Sequence, residues 1–64
     1  MWTVVYVSQE ERPAKKLAEI LKERKIISRI RRIGGGEGKP GFEVLVPKTE
    51  VDDAQNIIID NELF

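Results

Sequence analysis

The sequence predicts one small α+β domain, spanning residues 1–64, with the element order β-α-β-β-α. Three observations carry this prediction: a β-branched and aromatic run at the N-terminus, two segments with helical spacing of apolar residues, and a glycine-rich segment between two further apolar runs. A chain of 64 residues buries only about 60% of the surface that it exposes when unfolded. We therefore expect it to need a well-packed core or self-association.

The composition argues against covalent chemistry. The chain has no cysteine and no histidine, which excludes disulfides, iron–sulfur clusters, thiolate zinc sites and the commonest general base. We predict that it is not an enzyme and has no cofactor. The absence of cysteine and of any long apolar run favours a cytoplasmic protein without a membrane segment, and the run Met1–Val7 is too short and too alternating for a signal peptide.

The elements follow from local patterns. A strand is predicted over 2–7, and a helix starting near residues 10–12 would place Pro13 in its first turn, where proline is tolerated. A second strand is predicted over 26–33, a flexible connection over 34–41 and a third strand over 42–46. A second helix begins at Thr49, with Asp52 in the capping-box position. The apolar stripes of the two helices are Ala14, Leu17, Ala18 and Leu21, and Val51, Ala54, Ile57 and Ile58.

A right-handed crossover followed by a hairpin predicts a three-stranded sheet of order 1-3-2 with both helices on one face. We expect strands 1 and 3 to be parallel, as part of a ferredoxin-like βαββα arrangement that lacks the usual fourth strand. Period-two alternation then assigns each side chain to a face. The side predicted to meet the helices carries Val5, Val7, Ile26, Ile30, Val44 and Val46. The other side carries Trp2, Val4, Tyr6, Ile27, Arg29, Arg31, Ile33, Glu43 and Leu45.

This second side is too apolar for an ordinary solvated surface and indicates an interface. The candidate interface residues are Trp2, Val4, Tyr6, Arg29, Arg31, Ile33 and Leu45. The alternative is that Phe64 and the tail fold over part of it. Arg29, Arg31 and Arg32 suggest an anion or nucleic-acid platform with Tyr6 or Trp2 for stacking. Pairing with Glu43 and protection of a sheet edge is the interpretation that we favour.

The glycine-rich segment is a candidate flexible contact loop, with Gly34, Gly36, Gly38 and Lys39 as its residues. The stretch 36–41 matches G-x-G-x-x-G, but it leads into a strand rather than a helix, so a dinucleotide site is rejected. Binding of a small anionic ligand remains an open alternative. Net charge is +5 over residues 1–32 and −5 over residues 33–64, which argues against a uniformly basic nucleic-acid binder.

Four segments resemble a known family: Met1–Val7, Ile30–Gly34, Phe42–Pro47 and Glu50–Ala54. They are similar to the small prokaryotic signal-transducing proteins that share the fold of the nitrogen-regulatory PII proteins. The resemblance implies a ferredoxin-like domain in bacteria that senses a ligand or meets a partner, with 33–41 at the position of the PII contact loop. Because the loop is shorter and the fourth strand is missing, we transfer no nucleotide-binding residues from the PII proteins to this chain.

We therefore expect a small regulatory interaction module in signal transduction, homo-oligomeric or bound to a protein partner, that acts by binding rather than by catalysis. The alternative is a single-stranded nucleic-acid-binding βαββα domain that uses Arg29, Arg31 and Tyr6.

Overall fold

A computed structural model describes residues 1–34, 38 and 40–63 of the chain. The elements are β1 (Trp2–Ser8), α1 (Glu11–Glu23), β2 (Arg29–Ile33), β3 (Gly41–Pro47), a 3₁₀ turn (Lys48–Glu50) and α2 (Val51–Asp60). The predicted order β-α-β-β-α is confirmed. Within these ranges no helix combines the length and hydrophobicity needed to cross a membrane.

The three strands form one antiparallel sheet of order β1-β3-β2. The order is as predicted, but the parallel pairing expected for strands 1 and 3 is wrong: β3 is antiparallel to both β1 and β2. The physical reason is the connection. The crossover through α1 makes β1 and β2 parallel, and the hairpin then returns β3 between them in the opposite direction.

The core lies between the helices and one side of the sheet, as the apolar stripes predicted. Leu17 and Leu21 of α1 and Val44 and Val46 of β3 are fully buried. The rest of the core is Ala14, Ile26, Ala54, Ile57 and Ile58, with Val5, Tyr6, Ile20, Phe42, Val51 and Leu63 packed around it. Both helices contact β1 and β3 on this side, which leaves the opposite side of the sheet without a helical layer.

The position of Pro13 limits where the first helix can begin. It starts at Glu11, so Pro13 is its third residue, a position whose N–H has no partner within the helix. The N-cap residue Glu10 makes no side-chain cap, and its backbone N–H instead donates to the Ser8 hydroxyl at 3.1 Å. The late start predicted for α1 is confirmed.

Both helices end in a left-handed turn, at Lys25 after α1 and at Glu62 after α2. The turn after α1 delays the start of β2. The Ile26 N–H donates to the Leu21 carbonyl at 2.8 Å, around Lys25 at φ 63°. This left-handed turn aims Ile26 into the core, as in a Schellman motif. The strand predicted from residue 26 therefore starts at Arg29. Ile27, predicted on the outer sheet surface, lies before the strand and is 70% exposed.

Replacing Lys25 with glycine is expected to raise the free energy of unfolding by about 1 kcal/mol. A side chain in the left-handed region costs roughly 1–2 kcal/mol, which glycine avoids while losing some entropy on folding. Chemical denaturation measures the change. Lys22→Gly, inside α1, is the control and should destabilise by about 1 kcal/mol. An unchanged or lower stability for Lys25→Gly would contradict the motif.

The second helix starts differently from its prediction. The chain first makes the 3₁₀ turn, and α2 begins at Val51 without a side-chain cap at its N-cap residue Glu50. Thr49 lies inside the 3₁₀ turn, so the capping box expected for Thr49 and Asp52 is wrong. The acidic first turn that the sequence placed here is present in Asp52 and Asp53, where carboxylates suit the helix dipole.

Candidate binding surface on the open side of the sheet

A β-bulge in β1 decides which side chains reach the open side of the sheet. Val4 pairs with Leu45 and Tyr6 pairs with Val44, so Val5 is an extra residue between two partners. Val5 and Tyr6 both pack against the helix-side core, as side chains at a bulge commonly share one face. From Val5 on, the alternation of side chains between the two sides of the sheet is shifted by one residue. Val7 therefore lies opposite Glu43, and its side chain is 59% exposed.

Two predicted positions are therefore wrong. Tyr6, placed among the candidate interface residues, lies on the helix side, and Val7, placed beneath the helices, lies on the open side. The cause is the one-residue shift at Val5. No glycine or proline marks this bulge, so the sequence offers no signal that would have revealed it.

We call the side without helices the open face. Residue pairing on β3 assigns to it Trp2, Val4, Val7, Arg29, Arg31, Ile33, Gly41, Glu43, Leu45 and Pro47. It brings together six of the seven predicted interface residues, all except Tyr6. Val4 and Ile33 are 36% and 38% exposed. Trp2, Val4 and Val7 make the β1 side of this face apolar, while both arginines lie with Ile33 on the edge strand β2.

Leu45 at the centre of this face is covered, although the sequence placed it at an exposed interface. Its exposure is only 6%, yet it does not belong to the helix-side core. Arg29 lies directly opposite Leu45, and the Arg29 guanidinium carbon is 4.6 Å from the centroid of the Trp2 ring on β1. The arginine side chain therefore crosses over Leu45, and its charged end rests on the aromatic face.

The second arginine of the open face is paired. Arg31 Nε donates to Glu43 Oε1 at 2.8 Å, and Arg31 Nη2 lies 2.6 Å from the same oxygen. The two residues are direct cross-strand neighbours, so the cross-strand pairing that we favoured from the sequence is confirmed. The Glu43 side chain is 16% exposed and that of Arg31 59% exposed. Because the Arg31 side chain is mostly exposed to solvent, this ion pair contributes at most about 1 kcal/mol to stability.

Arg32 points the other way. It lies opposite Phe42 on the helix side, with its guanidinium carbon 5.9 Å from the centroid of the Phe42 ring. All five residues of β2 are exposed. This strand therefore presents charged side chains on both sides of the sheet edge, and each of its outer arginines rests on an aromatic ring.

The candidate contact loop is described only in part. Gly34 has φ 76°, a left-handed conformation that favours glycine. Gly38 is exposed, and Gly36 and Lys39 lie outside the described residues. At the end of the loop, a Cβ on Gly41 would lie 3.0 Å from Ile33 Cγ1. Glycine at position 41 thus lets the Ile33 side chain lie flat on the open face.

This surface presents apolar side chains and guanidinium groups. Among the residues described, no group of three carboxylates is placed to hold a metal ion, and no buried side-chain polar atom lacks a partner. A shallow groove runs along β2 between its arginines, Trp2 and Leu45. It offers apolar contact and guanidinium donors.

Comparison of this chain with family models, curated proteins and solved structures found no match. The resemblance to PII-like signal-transducing proteins therefore stays a prediction.

Proposed function

We propose that this chain is a small interaction module that acts by binding, and that two copies associate through their open faces. The observation that carries the proposal is the single helical layer. Both helices pack on the same side of the sheet, while Trp2, Val4 and Val7 lie on the other.

The arrangement of the open face supports contact with a second copy. Its β1 side is apolar, with Trp2, Val4 and Val7, whereas Arg29 and Arg31 lie on β2 at the opposite edge of the sheet. A contact centred near β1 would therefore have an apolar part and a polar margin. A domain of 64 residues also gains from burying further apolar surface. Because a three-stranded face is small, we expect reversible association in the micromolar range.

The wider setting of the proposal rests on the sequence. The resemblance to PII-like proteins supports a regulatory role in bacterial signal transduction, and the absence of cysteine supports a cytoplasmic site of action. Catalysis is not part of the proposal, since histidine and cysteine are missing.

Single-stranded nucleic-acid binding is less well supported. That alternative used Tyr6 as a stacking partner beside Arg29 and Arg31, and Tyr6 packs on the helix side. Trp2 lies on the correct face, but Arg29 already rests on its ring.

Replacing Val4 with lysine is expected to weaken self-association at least about tenfold, because it places a cation in the apolar part of the contact in both copies. Sedimentation equilibrium over a concentration series measures the effect. Val7→Lys, at a more exposed position of the same face, should act in the same direction and guards against misfolding of the first variant.

The matched control is Ile27→Lys, which introduces the same charge at a 70% exposed residue outside the sheet. It should associate like the unmodified protein. Association through the open face would be excluded if the unmodified chain stayed monomeric throughout the series. It would also be excluded if all three lysine variants associated equally.

A further inference from the structure

The two edges of the sheet differ sharply in charge. At one edge, the seven residues of β1 include no charged side chain. At the other, three of the five residues of β2 are arginines. An edge strand presents unpaired backbone N–H and C=O groups that can pair with another extended chain, so the side chains determine which chain each edge accepts.

The β2 edge is unsuited to pairing with itself. In an antiparallel pair of two β2 strands centred on Arg31, that residue would face its own copy, and Arg29 and Arg32 would add four more positive charges nearby. Like charges directly opposite each other are destabilising. This edge therefore selects against a second copy and for a strand of opposite charge.

The three arginines of β2 reach inward across the sheet in this structure. Arg29 is held on the open face by the Trp2 ring, and Arg32 is held on the helix side by the Phe42 ring. Aromatic contact orients a guanidinium without neutralising it. Arg31, between them, is engaged by Glu43. Both outer guanidinium groups therefore lie over the sheet on opposite faces, and turning outward to an added strand exchanges a weak ring contact for a charge-assisted hydrogen bond to a carboxylate.

We propose that the β2 edge binds an acidic, extended protein segment as an added fourth strand. Residues directly opposite each other in neighbouring strands point to the same side of a sheet. A carboxylate opposite Arg29 and another opposite Arg32 are therefore three positions apart in the bound segment and lie on opposite faces. The recognised pattern is Glu-x-x-Glu in extended conformation, with backbone hydrogen bonds to β2 supplying the rest of the contact.

The inference does not depend on self-association. The backbone edge of β2 and Arg32, on the helix side, stay accessible when a second copy covers the open face, whereas Arg29 lies on that face. The Arg32→Glu variant is therefore the one that separates the two proposals. The two proposals can therefore fail separately, one in sedimentation and the other in peptide binding.

The test uses a fluorescently labelled peptide, Thr-Glu-Val-Val-Glu-Thr, titrated with the full chain and followed by anisotropy. We expect saturable binding that weakens with salt, because charge pairs supply part of the affinity. Moving the two glutamates to a spacing of two places both carboxylates on one side, which should lower affinity about fivefold. Methylating the backbone nitrogens should lower it about tenfold, because the hydrogen bonds of the added strand are lost.

Variants of the chain test the same contacts from the other side. Arg29→Glu and Arg32→Glu should each weaken binding at least about tenfold. Arg12→Glu is the control, since it makes the same charge change at an exposed position of α1, and it should change affinity less than about twofold. Circular dichroism establishes that each variant is folded.

Three results would overturn the proposal. Equal affinity for the methylated peptide would mean that no strand is added, and indifference to glutamate spacing would mean that only net charge is sensed. Competition by a single-stranded oligonucleotide that binds more tightly than the peptide would assign the arginines to nucleic acid instead.

Discussion

Replacing Leu17 with alanine is expected to lower the free energy of unfolding by about 2–5 kcal/mol, the range for a large buried aliphatic residue. Leu17 is fully buried between α1 and the sheet. At roughly 0.05–0.15 kcal/mol per residue, a domain of 64 residues has only about 3–10 kcal/mol of stability in total. The loss therefore removes a large part of what holds the fold together.

Thermal unfolding followed by circular dichroism measures this effect, and the midpoint should fall by at least about 10 °C. The control is Ile27→Ala, at a 70% exposed residue, which should change stability by less than about 0.5 kcal/mol. Equal destabilisation by the two variants would contradict the core described above.

Replacing Tyr6 with lysine is expected to destabilise the domain by about 2–4 kcal/mol, whereas lysine at the neighbouring Val7 should have little effect. Tyr6 packs against the core beside the fully buried Val44, so the variant loses the ring contacts and brings a cation toward an apolar interior. Val7 is 59% exposed and lies opposite Glu43, so a lysine there stays in solvent beside a carboxylate.

These two variants distinguish the bulged strand from a regular one. Strict alternation from Trp2 places Tyr6 outward and Val7 inward, and it predicts the opposite ranking of the two substitutions. Urea denaturation of both variants decides the matter. A larger loss for Val7→Lys than for Tyr6→Lys would mean that β1 has no bulge at Val5.

The elements and the core were predictable because their signals are local. Leu17 and Leu21 follow helical spacing, and Val44 and Val46 follow strand spacing, so each could be assigned from its neighbours in the chain. The strand order followed from the crossover rule. The direction of β3 relative to β1 could have been derived from the same connections, since a hairpin reverses the chain.

The candidate surface was less predictable, because it depends on contacts between distant segments. The bulge at Val5 shifts the phase of β1 without any glycine or proline to announce it. The covering of Leu45 depends on how far the Arg29 side chain reaches across β3 to Trp2, which period-two alternation does not describe. The sequence pattern predicts Ile26 in the second strand, because the left-handed turn at Lys25 is made by a residue that rarely adopts that conformation.

The most direct test of association through the open face is the fluorescence of Trp2, the only tryptophan in the chain, recorded as the protein is concentrated. Because Trp2 lies on that face beside Arg29, we expect its emission to shift to shorter wavelength as dimers form, with a midpoint that matches sedimentation. The Val4→Lys variant should show no shift over the same concentrations. A spectrum that stays constant while the unmodified protein forms dimers would contradict the account, because the contact would then lie elsewhere.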